Sequence, residues 1–81
     1  KQEEEEENMA DIKFEIIEKI GVISEGSKGW NLELNKVSWN QHPAKYDIRE
    51  WSPDHQRMSK GVTLTGEQAK ALRELLHKVE L

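Results

Sequence analysis

Between Ile12 and Ile23, the apolar residues Ile12, Phe14, Ile16, Ile20 and Val22 share one parity. Period-two alternation of β-branched and aromatic residues predicts a strand over about 12–23 with one buried face. A Gly- and Ser-rich stretch, Ser24 to Gly29, then reads as a turn. In the next segment, about 30–40, Trp30, Leu32 and Leu34 lie on one parity and Val37 and Trp39 on the other. That switch across Asn35 and Lys36 predicts a β-bulge in this second strand. A third strand over about 45–51 places Tyr46 and Ile48 on one face and Lys45, Asp47, Arg49 and Trp51 on the other. Ser52-Pro53-Asp54-His55 has the composition of a turn, and a short strand over about 60–64 turns Val62 and Leu64 inward.

From Thr65 the period changes. Thr65 and Gln68 have capping-box spacing, and Ala69, Leu72, Leu75, Leu76 and Val79 recur as one apolar stripe. A helix over about 66–80 follows, with His77 and Lys78 suited to the negative end of its dipole. Four strands and then one helix make an α+β domain, an antiparallel sheet with a helix on one face. Leu72, Leu75, Leu76 and Val79 exceed what a lone cap on a small sheet needs. They are the candidate contact with a second copy.

The chain has 81 residues and a formal net charge of −4, which at face value disfavours a polyanionic partner. Position changes that reading. Residues 1–11 hold one lysine against six carboxylates, a net −5, and the other 70 residues hold 11 basic and 10 acidic side chains, a net +1. Five consecutive glutamates, Glu3 to Glu7, predict a disordered acidic tail over 1–11. Its plain reading is a solubilising tail or residues upstream of a start at Met9, and its functional reading is a mobile polyanion that competes with an anionic ligand. The folded domain is then 12–81, and 26 hydrophobic residues there support only a small core.

No cysteine is present, which removes disulfides, thiol nucleophiles and Cys-ligated zinc. His42, His55 and His77 have no metal-ligand spacing, and no nucleophile elbow or phosphate-cradling Gly loop occurs. We therefore expect no enzyme, no metal and no cofactor. No apolar run approaches the roughly 20 residues of a membrane helix, so no membrane partner and a cytoplasmic, nucleoid-associated location are the expectation.

The third strand carries the most informative chemistry. Trp51 stands at the same parity as Lys45 and Arg49, so a flat aromatic surface would lie among cations on an outward face. Such a surface stacks unpaired bases while cations neutralise phosphates. Lys28, Lys36, Arg57 and Lys60 lie in or beside neighbouring strands and would extend a cationic groove. A second reading of the same pattern makes Trp51 core, with Asp47 and Arg49 an ordinary cross-strand pair. Trp30 and Trp39 share parity with core residues, which favours burial of both unless the bulge turns one outward.

Tyr46-Asp47-Ile48-Arg49-Glu50-Trp51, then Lys60-Gly61-Val62-Thr63-Leu64 and Glu67-Gln68, resembles the transcriptional coactivator positive-cofactor-four domain. Gly29-Trp30 and Val37-Ser38-Trp39-Asn40 are similar to its small bacterial YdbC-type branch, and the resemblance runs from about Phe14 to Leu76. It implies a curved four-stranded antiparallel sheet and a C-terminal helix, dimerising through the helices. It also implies binding of single-stranded DNA with little sequence preference across the concave surface. Carried over by motif, Arg49 and Lys60 would be basic contacts, Trp51 the aromatic after the Asp-Ile-Arg-Glu segment, and Trp39 the aromatic ending the second strand. The chain departs from the pattern in a longer first hairpin, in His42-Pro43-Ala44, and in having Trp51-Ser52 where eukaryotic members have two aromatics.

The expectation is thus a homodimer that binds single-stranded DNA without catalysis. Lys28, Trp30, Lys36, Trp39, Lys45, Arg49, Trp51, Arg57 and Lys60 form the binding set, and Leu72, Leu75, Leu76 and Val79 the dimer interface. Single-stranded RNA and an acidic partner from the transcription machinery are the alternative ligands.

Overall fold

A computed structural model describes residues 13–81, so Ile12 and the acidic stretch over 1–11 lie outside the described residues. Four strands form one antiparallel sheet in sequence order: β1 (Phe14–Glu25), β2 (Asn31–Trp39), β3 (Lys45–Trp51) and β4 (Val62–Leu64). Helix α1 (Gly66–Lys78) follows β4. The expected order and type of every element are observed, and β3 has the expected bounds.

The bulges lie elsewhere than expected. β2 pairs with β3 without interruption from Asn31↔Trp51 to Val37↔Lys45. Register shifts fall instead in β1, between Ile16 and Glu18, Lys19 and Gly21, and Val22 and Ser24. Each skips one isoleucine: Ile17, Ile20 and Ile23. This corrects the single buried parity read for β1. Phe14 and Ile16 are half-buried, whereas Ile17, Ile20, Val22 and Ile23 are exposed. The parity switch in β2 arises because both its faces are covered, Leu32 and Leu34 on one and Glu33, Asn35 and Val37 on the other.

Bulges bend a strand and raise its twist, and this sheet is strongly curled. Phe14 is opposite Trp39 and Trp51 is opposite Asn31, at opposite ends of β2. In a flat sheet those ends lie about 26 Å apart, yet the Phe14 and Trp51 ring centroids are 5.2 Å apart. The concave face is therefore filled by the protein's own side chains. Val37 and Trp51 have no exposed surface, and the buried polar residues Glu33, Asn35, Asp47 and Ser52 accompany them.

These polar groups are paired, as burial requires. Asp47 accepts from Arg49 Nε (2.7 Å) and Thr63 Oγ1 (3.0 Å). Glu33 accepts from Asn35 Nδ2 (3.1 Å) and lies 3.0 Å from His55 Nε2. The His55 ring stacks on Trp51 at 5.7 Å, so the loop after β3 closes over one end of the core.

On the convex face α1 crosses β3 and β4. Its N-terminus has the expected capping box: Gln68 N–H donates to Thr65 Oγ1 (3.1 Å), and Thr65 N–H to Gln68 Oε1 (2.9 Å). The helix sits loosely. None of its residues is buried, and Leu72, Leu75, Leu76 and Val79 remain exposed, Leu75 by 59%. Val62, expected to face inward, is 54% exposed, because the three-residue edge strand has no partner on its outer side. Leu64 is half-buried beneath the helix, where Leu34, Tyr46, Ile48, Leu72 and Leu76 help line an open apolar groove of about 670 Å³.

Candidate nucleic-acid interface

Two turns place the side chains of the candidate interface. β2 ends at Trp39 in a tight turn whose central residues, Asn40 and Gln41, both have positive φ (51° and 67°). His42 N–H donates back to Trp39 O (2.9 Å), so the turn fixes Trp39 at the rim of the curled sheet. After β3, the Ser52–His55 turn forms as expected, with His55 N–H donating to Ser52 O (2.9 Å). Ser52 Oγ (2.7 Å) and the Gln56 N–H (3.0 Å) donate to Asp54 Oδ1. These bonds, the Ser52 hydroxyl first, hold the Asp54 carboxyl below its ordinary pKa. The returning chain then runs beside β3, bridging Trp51 to Met58 and Glu50 to Ser59.

That return builds an open groove of about 490 Å³ on the rim, lined by Trp39, Asn40, Arg49, Met58, Ser59, Lys60 and Thr63. The Arg49 guanidinium lies over the Trp39 indole, Cζ 4.7 Å from the ring centroid. Its Nε is bound to Asp47, Nη1 donates to Ser59 O (3.3 Å) and Nη2 reaches Thr63 Oγ1 (3.5 Å). Gly61 is what lets the Lys60–Thr63 segment lie so close. A Cβ at Gly61 would run into Arg49 Cβ and the Ile48 carbonyl oxygen.

Of the nine residues expected to bind, the groove brings together Trp39, Arg49 and Lys60. Trp51 does not join them. It has no exposed surface, packed between Phe14 (5.2 Å) and His55 (5.7 Å), which corrects the reading of an outward β3 face. The alternative, Trp51 as core and Asp47–Arg49 as a pair, is the arrangement observed, although the pair lies along one strand rather than across two. Lys36 projects on the convex side, 5.5 Å from the Tyr46 ring, away from the groove. Lys45 is exposed at the start of β3, opposite Val37. Lys28 lies in the 3-10 turn Ser27–Gly29, and neighbouring Trp30 is half-buried with the Arg57 guanidinium 5.9 Å from its ring. Arg57 and Trp30 form a second cationic-aromatic pair at the opposite end of β2 from Trp39, with Lys28 two residues before Trp30 in the chain.

Sequence reasoning missed Asn40, Met58, Ser59 and Thr63 as groove residues and Gly61 as the residue that permits it. Asn40, Gly61 and Thr63 lie in the motifs that carry the family resemblance, whereas Met58 and Ser59 lie in none. Among the described residues, no group of three or more His, Asp or Glu side chains is placed to hold a metal ion.

Comparison with known proteins covers the same region. The family model described as Transcriptional Coactivator p15 (PC4) matches residues 26–75, from the turn before β2 well into α1. The chain belongs to the PC4 family. The PC4 match includes every lining residue of the groove and leaves β1, with its three bulges, outside. A protein of Treponema pallidum (strain Nichols), described as an uncharacterized protein, is 49% identical over 71 residues, covering 88% of this chain and 84% of that one. Within the matched PC4 region Arg49 and Lys60 line one groove, and Gly61 lies against Arg49. Among the described residues no helix is long and apolar enough to cross a membrane.

Proposed function

We propose that this PC4-family domain binds single-stranded DNA with little sequence preference, in the rim groove of Trp39, Arg49 and Lys60, and acts as a non-enzymatic, coactivator-like protein. The observation that carries this reading is the convergence of an aromatic, two cations and two hydroxyls on one open groove within the matched region. An aromatic and cationic groove suits single strands, because every nucleotide offers a π-face and a phosphate. It suits a duplex less, since bases in a duplex are already stacked. The Arg57–Trp30 pair, with Lys28 in the neighbouring turn, offers the same chemistry at the other end of β2.

The functional unit in this proposal is a homodimer. Leu72, Leu75, Leu76, Val79 and Leu81 are exposed on or beyond α1, next to the open apolar groove on the convex face. A second copy of this face would cover that surface. Sedimentation at micromolar concentration is expected to show twice the 9.4 kDa chain mass; a 9.4 kDa species throughout would overturn the dimer.

Titration of oligo-dT against tryptophan fluorescence tests the binding. Quenching at low salt that weakens with added salt is expected. Absence of any change at low salt would count against single-strand binding and favour a protein ligand. Competition with a matched RNA oligonucleotide then ranks DNA against RNA, the two being distinguished only if a side chain is aimed at the 2′-hydroxyl.

A further inference from the structure

The way Arg49 is held bears on what it does in the groove, given the single-strand reading above. Its guanidinium is fixed along its edges by Asp47 Oδ2 (2.7 Å), Ser59 O (3.3 Å) and Thr63 Oγ1 (3.5 Å). One of its faces lies on Trp39 at 4.7 Å. Asp47 is fully buried, and its other oxygen accepts from Thr63 (3.0 Å). For Arg49 to swing out and clamp a phosphate, it would leave that carboxylate buried without its charged partner, which is strongly unfavourable. The pair also carries no net charge, so covering it with a nucleic-acid strand releases no counterion on its account.

What Arg49 still offers is its plane. The Arg49 side chain lines the groove and keeps 14% of its surface exposed. The geometry points to Arg49 as a stacking shelf: an unpaired base lies on the guanidinium, which itself rests on Trp39, and the phosphate charge is met by Lys60. Bases stack on arginine planes as they do on aromatic rings, the guanidinium is planar by its own delocalisation, and the indole behind it fixes its position. Asp47, Thr63 and Gly61 act through Arg49. The first two hold its edges, and the third leaves room for the segment that carries Ser59 and Lys60.

Lysine separates the two roles, since it keeps the charge and loses the plane. The probes are oligo-dT and an oligonucleotide of the same length made of abasic residues, each titrated over a range of salt. The unaltered protein is expected to prefer oligo-dT. Arg49→Lys, verified as folded by its circular dichroism and urea midpoint, is expected to lose about tenfold in oligo-dT affinity. Its affinity for the abasic strand and its salt slope should stay as they were. Lys60→Ala should instead lower both affinities and reduce the slope by about 0.7.

Retention of oligo-dT affinity in Arg49→Lys would overturn the stacking role, as would an equal loss of affinity for the abasic strand in that variant. If Arg49→Lys fails to fold, Trp39→Leu leaves the Asp47 pair intact and carries the test. It should abolish the preference for oligo-dT over the abasic strand, and survival of that preference overturns the proposal. Equal binding of both probes by the unaltered protein sinks the shelf alone. Binding of neither sinks single-strand recognition itself.

Discussion

Replacing Trp51 by alanine separates a structural role from a binding role at one residue. Trp51 has no exposed surface, so folding removes its whole side chain from water. An aromatic side chain of this size buries about 150–250 Å², which at about 25 cal/mol per Å² is roughly 4–6 kcal/mol. Measured Trp-to-Ala substitutions in cores cost about 3–5 kcal/mol, since the cavity relaxes in part. A domain of this size has a total stability of roughly 3–10 kcal/mol. Trp51→Ala therefore removes a large share of it, and His55 and Phe14 lose their common packing partner. Urea unfolding followed by circular dichroism, at fixed protein concentration because the stability of the proposed dimer would depend on it, is the assay. The expected result is a protein largely unfolded at 25 °C in buffer, while Trp51→Phe folds with a reduced midpoint. A folded Trp51→Ala with an unchanged midpoint and lost oligo-dT binding would refute the argument and restore the outward face read from the β3 pattern.

Three further outcomes follow from particular contacts. Gly61→Ala places a methyl group against Arg49 Cβ and the Ile48 carbonyl; a loss of about 1–3 kcal/mol is expected from such overpacking, together with weaker oligo-dT binding, and an unaltered melting curve would contradict the close approach. Thr65→Ala removes the acceptor for the Gln68 N–H, and about 1 kcal/mol of stability with it, which calorimetry should register as a fall of about 4–8 °C in Tm. Removing residues 1–8, which hold five of the six carboxylates before Ile12, is expected to raise oligo-dT affinity most at low salt, where screening is weakest; equal affinity there would leave the glutamates a solubilising role only.

The order of elements was legible because each rests on local chemistry: alternation in β1 and β3, turn residues at Ser24–Gly29 and Ser52–His55, and the Thr65–Gln68 box. What pattern could not reach was the curl of the sheet. In β1 the isoleucines at 17, 20 and 23 each occupy a bulge, so parity counted along the strand assigns the wrong face beyond Ile16. Once the sheet curls, its concave face meets itself, and Trp51, which shares parity with two cations, becomes core. The same curl buries Asp47 and Glu33, whose partners Thr63 and His55 come from segments 16 and 22 residues away. The candidate site was legible in part for a related reason. Arg49 was read from the β3 pattern and Lys60 from its place beside the strands, the family resemblance supporting both. Periodicity favoured burial of Trp39, and only the resemblance put it in the binding set. Met58 and Ser59 enter the groove because of the path the loop takes back along β3, and nothing local in their sequence encodes that path.

The central claim is that single-stranded DNA is held at the rim groove by Trp39 and Arg49, with Trp51 beneath as core. Three indole N–H signals, from Trp30, Trp39 and Trp51, can be followed separately by NMR during an oligo-dT titration, after assignment by single Trp→Phe variants. The Trp39 signal is expected to move as DNA is added, with that of Trp51 nearly stationary. Movement of Trp51 with Trp39 unchanged, or no movement of any of the three, would contradict the account.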